Sequence, residues 1–440
     1  MLKASAIEDC FTIANKMQSF YSTVLLLVIC QVSTAFGAPA LNQASGSLYV
    51  SIAGGNKDDE YLATQQDSLK NKVLDCLAKV HGNGDIEEQY CEAVTNPEPR
   101  AIHSLGDYRE INGKEWFFVS KSDANGTKTW ESCVLGVDRK PSNCFSMKWL
   151  DPHDMLVAEN GDRIYMFYVP RVRPRVWLSG KALDLVLRRV NAKNEVVWQW
   201  SSADHVIADV KEPARKAGFG SEVASSLKQI RTSILTNLGA TGDGPICVTI
   251  GSAPRCLHPH WVDYLHANSL AWDRDGGIIV SARYPSEIFK IDSHSGDIDW
   301  ILGGYHAQFS DFKLLNDPLG GFSFQHSARI LADGNILVFD NANGRPDQHS
   351  RAVEYEIDTN KKTATLVWDY PAENGYAFRN CCGLVQRLKN GNTLIAWGGL
   401  GDKTKTDSIP VATEVTPGGK VVFELRSNIP ELPYRVWKID

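Results

Sequence analysis

The chain has 440 residues, a formal net charge of −6 and 43% hydrophobic residues. That is apolar material for one large domain or two ordinary ones. Acids and bases are mixed along the sequence with no basic stripe, which excludes nucleic acid as an expected partner. Twelve tryptophans, fourteen tyrosines and 35 glycines suit an all-β protein with many turns.

Taken in chain order, the first element is an address. "TVLLLVIC" (23–30) is an apolar core of signal-peptide length, too short to span a bilayer. "STAFGAPA" (33–40) follows, with small residues at Ala35 and Gly37, so cleavage is expected after Gly37. The preceding 22 residues are long and weakly charged for a signal, which leaves Met17 as a possible start and an uncleaved anchor as the alternative. The expected location is the secretory lumen or outside the cell, with no membrane attachment after cleavage. Residues 38–100 read as an N-terminal helical and disulfide segment. Leu69, Val73, Leu77 and Val80 share one helical face over 67–80, and Gly82 is the stop. Residues 101–440 read as the main domain.

Without Cys10 and Cys30, eight cysteines remain in near pairs: Cys76/Cys91, Cys133/Cys144, Cys247/Cys256 and Cys381/Cys382. Local bridges are the simplest expectation in an oxidising compartment, although eight cysteines allow 105 pairings. No Cys-x-x-Cys occurs, which weakens a zinc reading. Asn125-Gly126-Thr127 is a glycosylation sequon.

A motif then recurs. "MLVAENGDRIYMFYV" (155–169), "LAWDRDGGIIVSAR" (270–283), "ARILADGNILVFDN" (328–341) and "LVQRLKNGNTLIAWGG" (384–399) each place a Gly-containing polar turn between two apolar strands. A second hairpin follows each, as in "LVLRRVNAKNEVVWQW" and "EIFKIDSHSGDIDWIL". Four strands per unit, repeated about every 50 residues, is the pattern of a β-propeller blade. Four blades are legible, with room for six. An insertion at 206–258 interrupts them and carries a second expected helix at 221–238, built on Val223, Leu227, Ile230, Ile234 and Leu238. It reads either as a cover over the ligand mouth or as a packing appendage.

Histidines fall at equivalent points of this repeat. His153, His266 and His326 each precede a first hairpin, and Arg283 ends the strand after His266. Equivalent positions of successive blades face one axis, so these side chains are expected to meet at one end of the central channel. Imidazoles with a guanidinium suit a tetrahedral oxyanion, since arginine offers a planar fork and histidine exchanges protons near neutral pH. Three histidines also suit zinc, but an arginine beside them would repel it. Taken singly, each histidine also reads as structural. His205, His258 and His260 read as structural or loop residues.

"DYLHANSLAWDRDGGIIVSARYPSEIFKID", "GDIDWILGG", "FSFQHSARI" and "GLVQRLKNGNTLIAWG" resemble the arylsulfotransferase family, notably its eukaryotic branch, as do "PHDMLVAENG" and "VVWQWSSADHV". The resemblance runs from about residue 150 to 426. It implies a six-bladed propeller that moves a sulfuryl group from an aryl sulfate to a phenol, without 3′-phosphoadenosine cofactor. No G-x-x-x-x-G-K-[ST] phosphate loop is present. By its "FQHSAR" setting, His326 matches the histidine that becomes sulfated on nitrogen. His266 and Arg283 match residues that hold sulfuryl oxygens and handle protons, and His153 matches a further active-site histidine. Asn268 reads as a donor to the sulfuryl group or as a turn stabiliser. The alternatives are a propeller that binds a sulfated or phenolic ligand without turnover, and a sulfatase-like hydrolase.

Overall fold

The polar turns set the strand boundaries. Gly161, Gly276, Gly334 and Gly391 all take positive φ, between 83° and 97°, where a side chain is disfavoured. The chain reverses there and two apolar strands pair. The computed structural model describes residues 48–53, 60–69, 72–83, 85–93, 105–122, 128–172, 181–205, 246–250, 253–257, 262–372, 378–399, 409–427 and 434–439, all inside the compact unit Ala44–Asp440. The expected signal peptide, Asn125, the helix at 221–238, His258 and His260 lie outside them.

The described residues form six four-stranded antiparallel blades. Blade 2 is Leu105–Ile111, Lys114–Ser122, Lys128–Leu135 and Pro141–Ser146. Blade 3 is Leu150–Val157, Arg163–Val172, Lys181–Val190 and Val196–Ser201. Blade 4 is Ala267–Trp272, Ile278–Ala282, Glu287–Ile291 and Ile298–Gly303. Blade 5 is His326–Ile330, Ile336–Asp340, Arg351–Asp358 and Thr363–Pro371, and blade 6 is Leu384–Arg387, Thr393–Ala396, Ile409–Val415 and Val421–Ser427. Blade 1 joins distant parts of the chain: Val436–Ile439 is its innermost strand, followed by Glu60–Leu69, Lys72–His81 and Ile86–Ala93. Leu48–Ala53 adds a fifth strand outside blade 6.

Each innermost strand touches the next, and the sequence of contacts closes into a ring. Six apolar clusters fill the gaps, each shared by two adjacent blades; Leu337 and Phe339 of blade 5, for example, pack on Val385 and Ile395 of blade 6. The middle strands are therefore covered on both faces. Every residue of Ile278–Ala282 is buried.

That two-sided burial corrects the helix expected over 67–80. The segment forms strands Glu60–Leu69 and Lys72–His81. Cys76, Leu77, Ala78 and Val80 are all fully buried, because neighbouring blades cover both faces. A strand apolar on both faces contains helix-like spacings by default. Disulfides Cys76–Cys91 and Cys133–Cys144 form as expected and staple adjacent strands of blades 1 and 2. Cys247 lies opposite Cys256 in the register of a two-stranded hairpin. Cys381 and Cys382, expected either to bridge each other or to pair elsewhere, remain thiols. Their neighbouring Cα atoms stand about 3.8 Å apart, shorter than the usual span of about 4.4–6.8 Å for bridged cysteines.

Closure rests on Val436, fully buried in the cluster between blades 6 and 1. Val436→Asp puts a carboxylate into that cluster and is expected to cost about 3–5 kcal/mol. The drop in denaturant midpoint measures it.

Candidate active site

The residues singled out from the repeat do meet. His153 lies within the innermost strand of blade 3, His266 just before that of blade 4, and His326 at the start of that of blade 5. Tyr434 joins them: its ring centroid is 5.6 Å from that of His153 and 6.5 Å from that of His326. The His153 and His266 rings stand edge to face at 5.2 Å. Arg283 is close enough for its charge to depress the His326 imidazole. Among the described residues, the imidazole nitrogens do not converge as a three-histidine zinc site requires; the clusters that do converge are the two disulfides, each with one glutamate.

The backbone here is unusual. His266, Phe324, Ser327 and Cys382 have φ of +47°, +52°, +56° and +64°. Left-handed non-glycine residues are uncommon, and such conformations cluster at functional sites.

His326 is held in one tautomer. The Asn341 amide donates through Nδ2 to the carbonyls of Arg379 (2.9 Å) and Cys382 (3.1 Å). Its Oδ1 must then face His326 Nδ1, 2.7 Å away. An amide oxygen only accepts, so Nδ1 carries the proton and Nε2 the lone pair. The Cys382 N–H donates to that Nε2 at 3.1 Å. Burial, then the Arg283 charge and those of His153 and His266, hold the His326 pKa well below its usual range, against the pull of Asn341. The ring is neutral at neutral pH.

The other two imidazoles sit against carboxylates. His153 Nδ1 is 2.7 Å from Asp151 Oδ1, and His266 Nδ1 is 2.6 Å from Asp263 Oδ2. Burial pulls the His153 pKa down, but Asp151 outweighs it and the net shift is upward. Asp151→Asn leaves burial and the Arg435 charge opposed only by the smaller effect of Asp263. An NMR titration is expected to find the His153 midpoint above about 6.5 in the parent and below it in the variant. The pKa is raised on folding, so the pair's stabilisation is complete below about pH 6.5 and fades as pH rises through the folded value.

Arg283 donates Nη2 to the Asn380 carbonyl at 2.9 Å and lies over the rings of Tyr284 and Phe324, 5.4 and 5.1 Å from their centroids. Asn268 is fully buried, and its Nδ2 donates to the Gln325 carbonyl at 2.8 Å, tying blade 4 to the residue before His326. Arg435 donates to the carbonyls of His153 (2.9 Å) and Asn268 (2.6 Å). Behind it Asp107 and Asp154 meet Arg109, Arg329 and Arg435 in a buried ion network. His205 lies elsewhere, stacked on Trp200 at 4.8 Å.

Sequence reasoning missed Asn341, Tyr434, Arg435, the Cys382 N–H and both carboxylates. Only the carboxylates carry a local signal, in Asp151-x-His153 and Asp263-x-x-His266.

The fold and this centre define a six-bladed propeller with a histidine-rich candidate active site at one end of its channel. The chain belongs to the arylsulfotransferase (ASST) family, whose model matches residues 150–435, well over half its length and including every histidine of the centre. It is 30% identical over 168 residues to arylsulfate sulfotransferase AssT of Escherichia coli O6:H1, and 31% identical over 169 residues to AssT of Lelliottia amnigena. Each match covers 31% of this chain and 28% of the relative, so the chain spans under a third of the length of these curated relatives. Among solved structures it is similar to a protein of unknown function from Bacteroides caccae, with a TM-score of 0.47, 13% identity, and coverage of 87% of this chain and 99% of the other.

Proposed function

We propose that this protein is an aryl sulfotransferase that carries SO3 from an aryl sulfate to a phenol on Nε2 of His326. The observation that supports the reading most is the tautomer: a buried, neutral imidazole with Nδ1–H on Asn341 carries its lone pair on Nε2, near Arg283 and capped by the Cys382 N–H.

In the first half-reaction Nε2 forms a bond to sulfur as the S–O bond to the aryl group breaks, and that electron pair leaves on the phenolate oxygen. The ring becomes positive, and Nδ1–H shares the charge with Asn341. Arg283 offsets charge on the sulfuryl oxygens, an effect commonly worth a few kcal/mol. His266, backed by Asp263, protonates the phenolate, since a leaving group with a pKa near 10 needs that help at neutral pH. His153, biased toward its charged form, adds positive potential. In the second half-reaction the acceptor phenol gives its proton to His266, its oxygen attacks sulfur, and the N–S bond breaks. Splitting the transfer avoids bringing two phenolates together. The aryl sulfate supplies the sulfuryl group, so 3′-phosphoadenosine chemistry is not called on.

The route is through the secretory pathway, a reading supported by the apolar core at 23–30 and by disulfides that persist in oxidising compartments. N-terminal sequencing of the exported protein is expected to begin at Ala38.

The deciding experiment incubates the purified protein with a chromogenic aryl sulfate, with and without a second phenol, and analyses peptides by mass spectrometry. Acceptor-stimulated release with SO3 on the His326 peptide is expected. Release indifferent to acceptor would make the protein a hydrolase, and neither release nor adduct would leave a binding protein.

A further inference from the structure

Backbone atoms of residues 379–382 hold much of the centre. The carbonyls of Arg379 and Cys382 accept from the Asn341 amide. The Asn380 carbonyl accepts from Arg283 and from Asn343 Nδ2, each at 2.9 Å. The Cys382 N–H caps His326 Nε2. On this same segment two thiols meet, with Cys382 Sγ 2.7 Å from Cys381 Sγ. Contact with the Cys381 thiol lowers the Cys382 pKa against the effect of burial, with Arg283 and Arg435 adding to it. Low-pKa thiols near positive charge are the reactive ones.

We propose that Cys381 and Cys382 are a dithiol site which a small disulfide, such as glutathione disulfide, oxidises to a vicinal bridge, and that the bridge withdraws the Cys382 N–H from His326 Nε2. The Cys382 thiolate attacks one sulfur of the reagent and expels one thiolate. Cys381, deprotonated in turn, attacks Cys382 Sγ of the mixed disulfide and expels the second. The pair loses two protons and two electrons, and the reagent takes both as two thiols. Adjacent Cα atoms lie closer than bridged cysteines usually do, so closing the ring turns the peptide between them. That peptide carries the N–H on Nε2. In the thiol form it occupies the lone pair that must attack sulfur; in the bridged form the lone pair is exposed. The consequence for catalysis rests on the reading of His326 as nucleophile.

The test takes the full-length protein through glutathione buffers from reducing to oxidising. Alkylation and peptide mass report the bridge, long-range 15N NMR reports His326 Nε2 (assigned against His326→Asn), and aryl-sulfate turnover reports function. Bridging is expected to move the Nε2 resonance toward that of an unbonded imidazole nitrogen and to raise turnover severalfold. Cys381→Ser is expected to stop at the Cys382 mixed disulfide, seen by peptide mass, and in the variant with both Cys381→Ser and Cys382→Ser both readouts are expected to stay constant across the series. No bridge at the oxidising end, a bridge with an unmoved Nε2 resonance, or turnover that falls on bridging would overturn the proposal. A moved resonance in a protein that turns over no aryl sulfate in either form would sink the sulfotransfer reading and leave the redox coupling standing.

Discussion

His326→Asn is expected to lower aryl-sulfate turnover by about 10⁶-fold, the scale seen when a covalent nucleophile is removed, and to abolish the SO3 adduct on its peptide. His326 is 2% exposed, and asparagine keeps a polar amide there facing Asn341, where Nδ1 stood. What it lacks is a basic nitrogen. Fold and chemistry therefore separate: the thermal midpoint should stay near that of the parent while the burst of phenol disappears. An adduct that persists, or moves to His266 or His153, would reassign the nucleophile. His266→Gln completes the comparison. It should slow both half-reactions yet let sulfated His326 accumulate when the donor is an aryl sulfate of low leaving-group pKa, whose phenolate departs without a proton.

Asp154→Ala is expected to cost about 3–5 kcal/mol of stability, because removing one partner of a buried ion network leaves uncompensated charge. Asp154 is fully buried. It pairs with Arg109 at 2.5 Å, Arg329 at 2.9 Å and Arg435 at 3.5 Å, and accepts the Leu270 N–H at 3.0 Å. Those residues belong to or adjoin the innermost strands of blades 1, 2, 4 and 5, so this carboxylate ties most of the ring together. Burial raises its pKa, but the three guanidiniums outweigh it and the carboxyl is held well below the usual range. A depressed carboxyl pKa contributes stability that is complete above about pH 3.9 and is lost as pH falls through the folded value. The variant should lose that acid limb of the stability profile as well as the free energy. Urea denaturation at pH 7 and at about pH 2.5 measures both, and an unchanged midpoint at pH 7 would remove Asp154 from the centre of the ring's stability.

The sequence made blades 3 to 6 legible because each carries its two hairpins contiguously, with a glycine at the tight turn. Blade 1 was hidden for two physical reasons. Its innermost strand comes from Val436–Ile439, more than 360 residues after its neighbour in the sheet. In the strand Lys72–His81 successive residues Cys76, Leu77 and Ala78 are buried, so both faces are covered there, and the apolar spacing of Leu69, Val73, Leu77 and Val80 mimicked a helix. The site split in the same way. His153, His266, His326 and Arg283 were readable because equivalent places in a repeat share an axis. Asn341 stood in view two residues after the cross-strand partner of His326, Phe339, but only the register puts its amide on the imidazole. Tyr434 and Arg435 come from outside the legible repeat. The left-handed backbone at His266, Ser327 and Cys382 has no compositional trace, since none of these is glycine.

Blade 1 also sets a timetable for biosynthesis. Glu60–Ala63 pair with Val436–Ile439, and the two residues just before that strand place a phenol and a guanidinium among the imidazoles. A ribosome must therefore translate through residue 439 before the channel has a complete wall. Until then five blades wait with an open edge, and the nascent chain holds imidazoles without the arginine that anchors them.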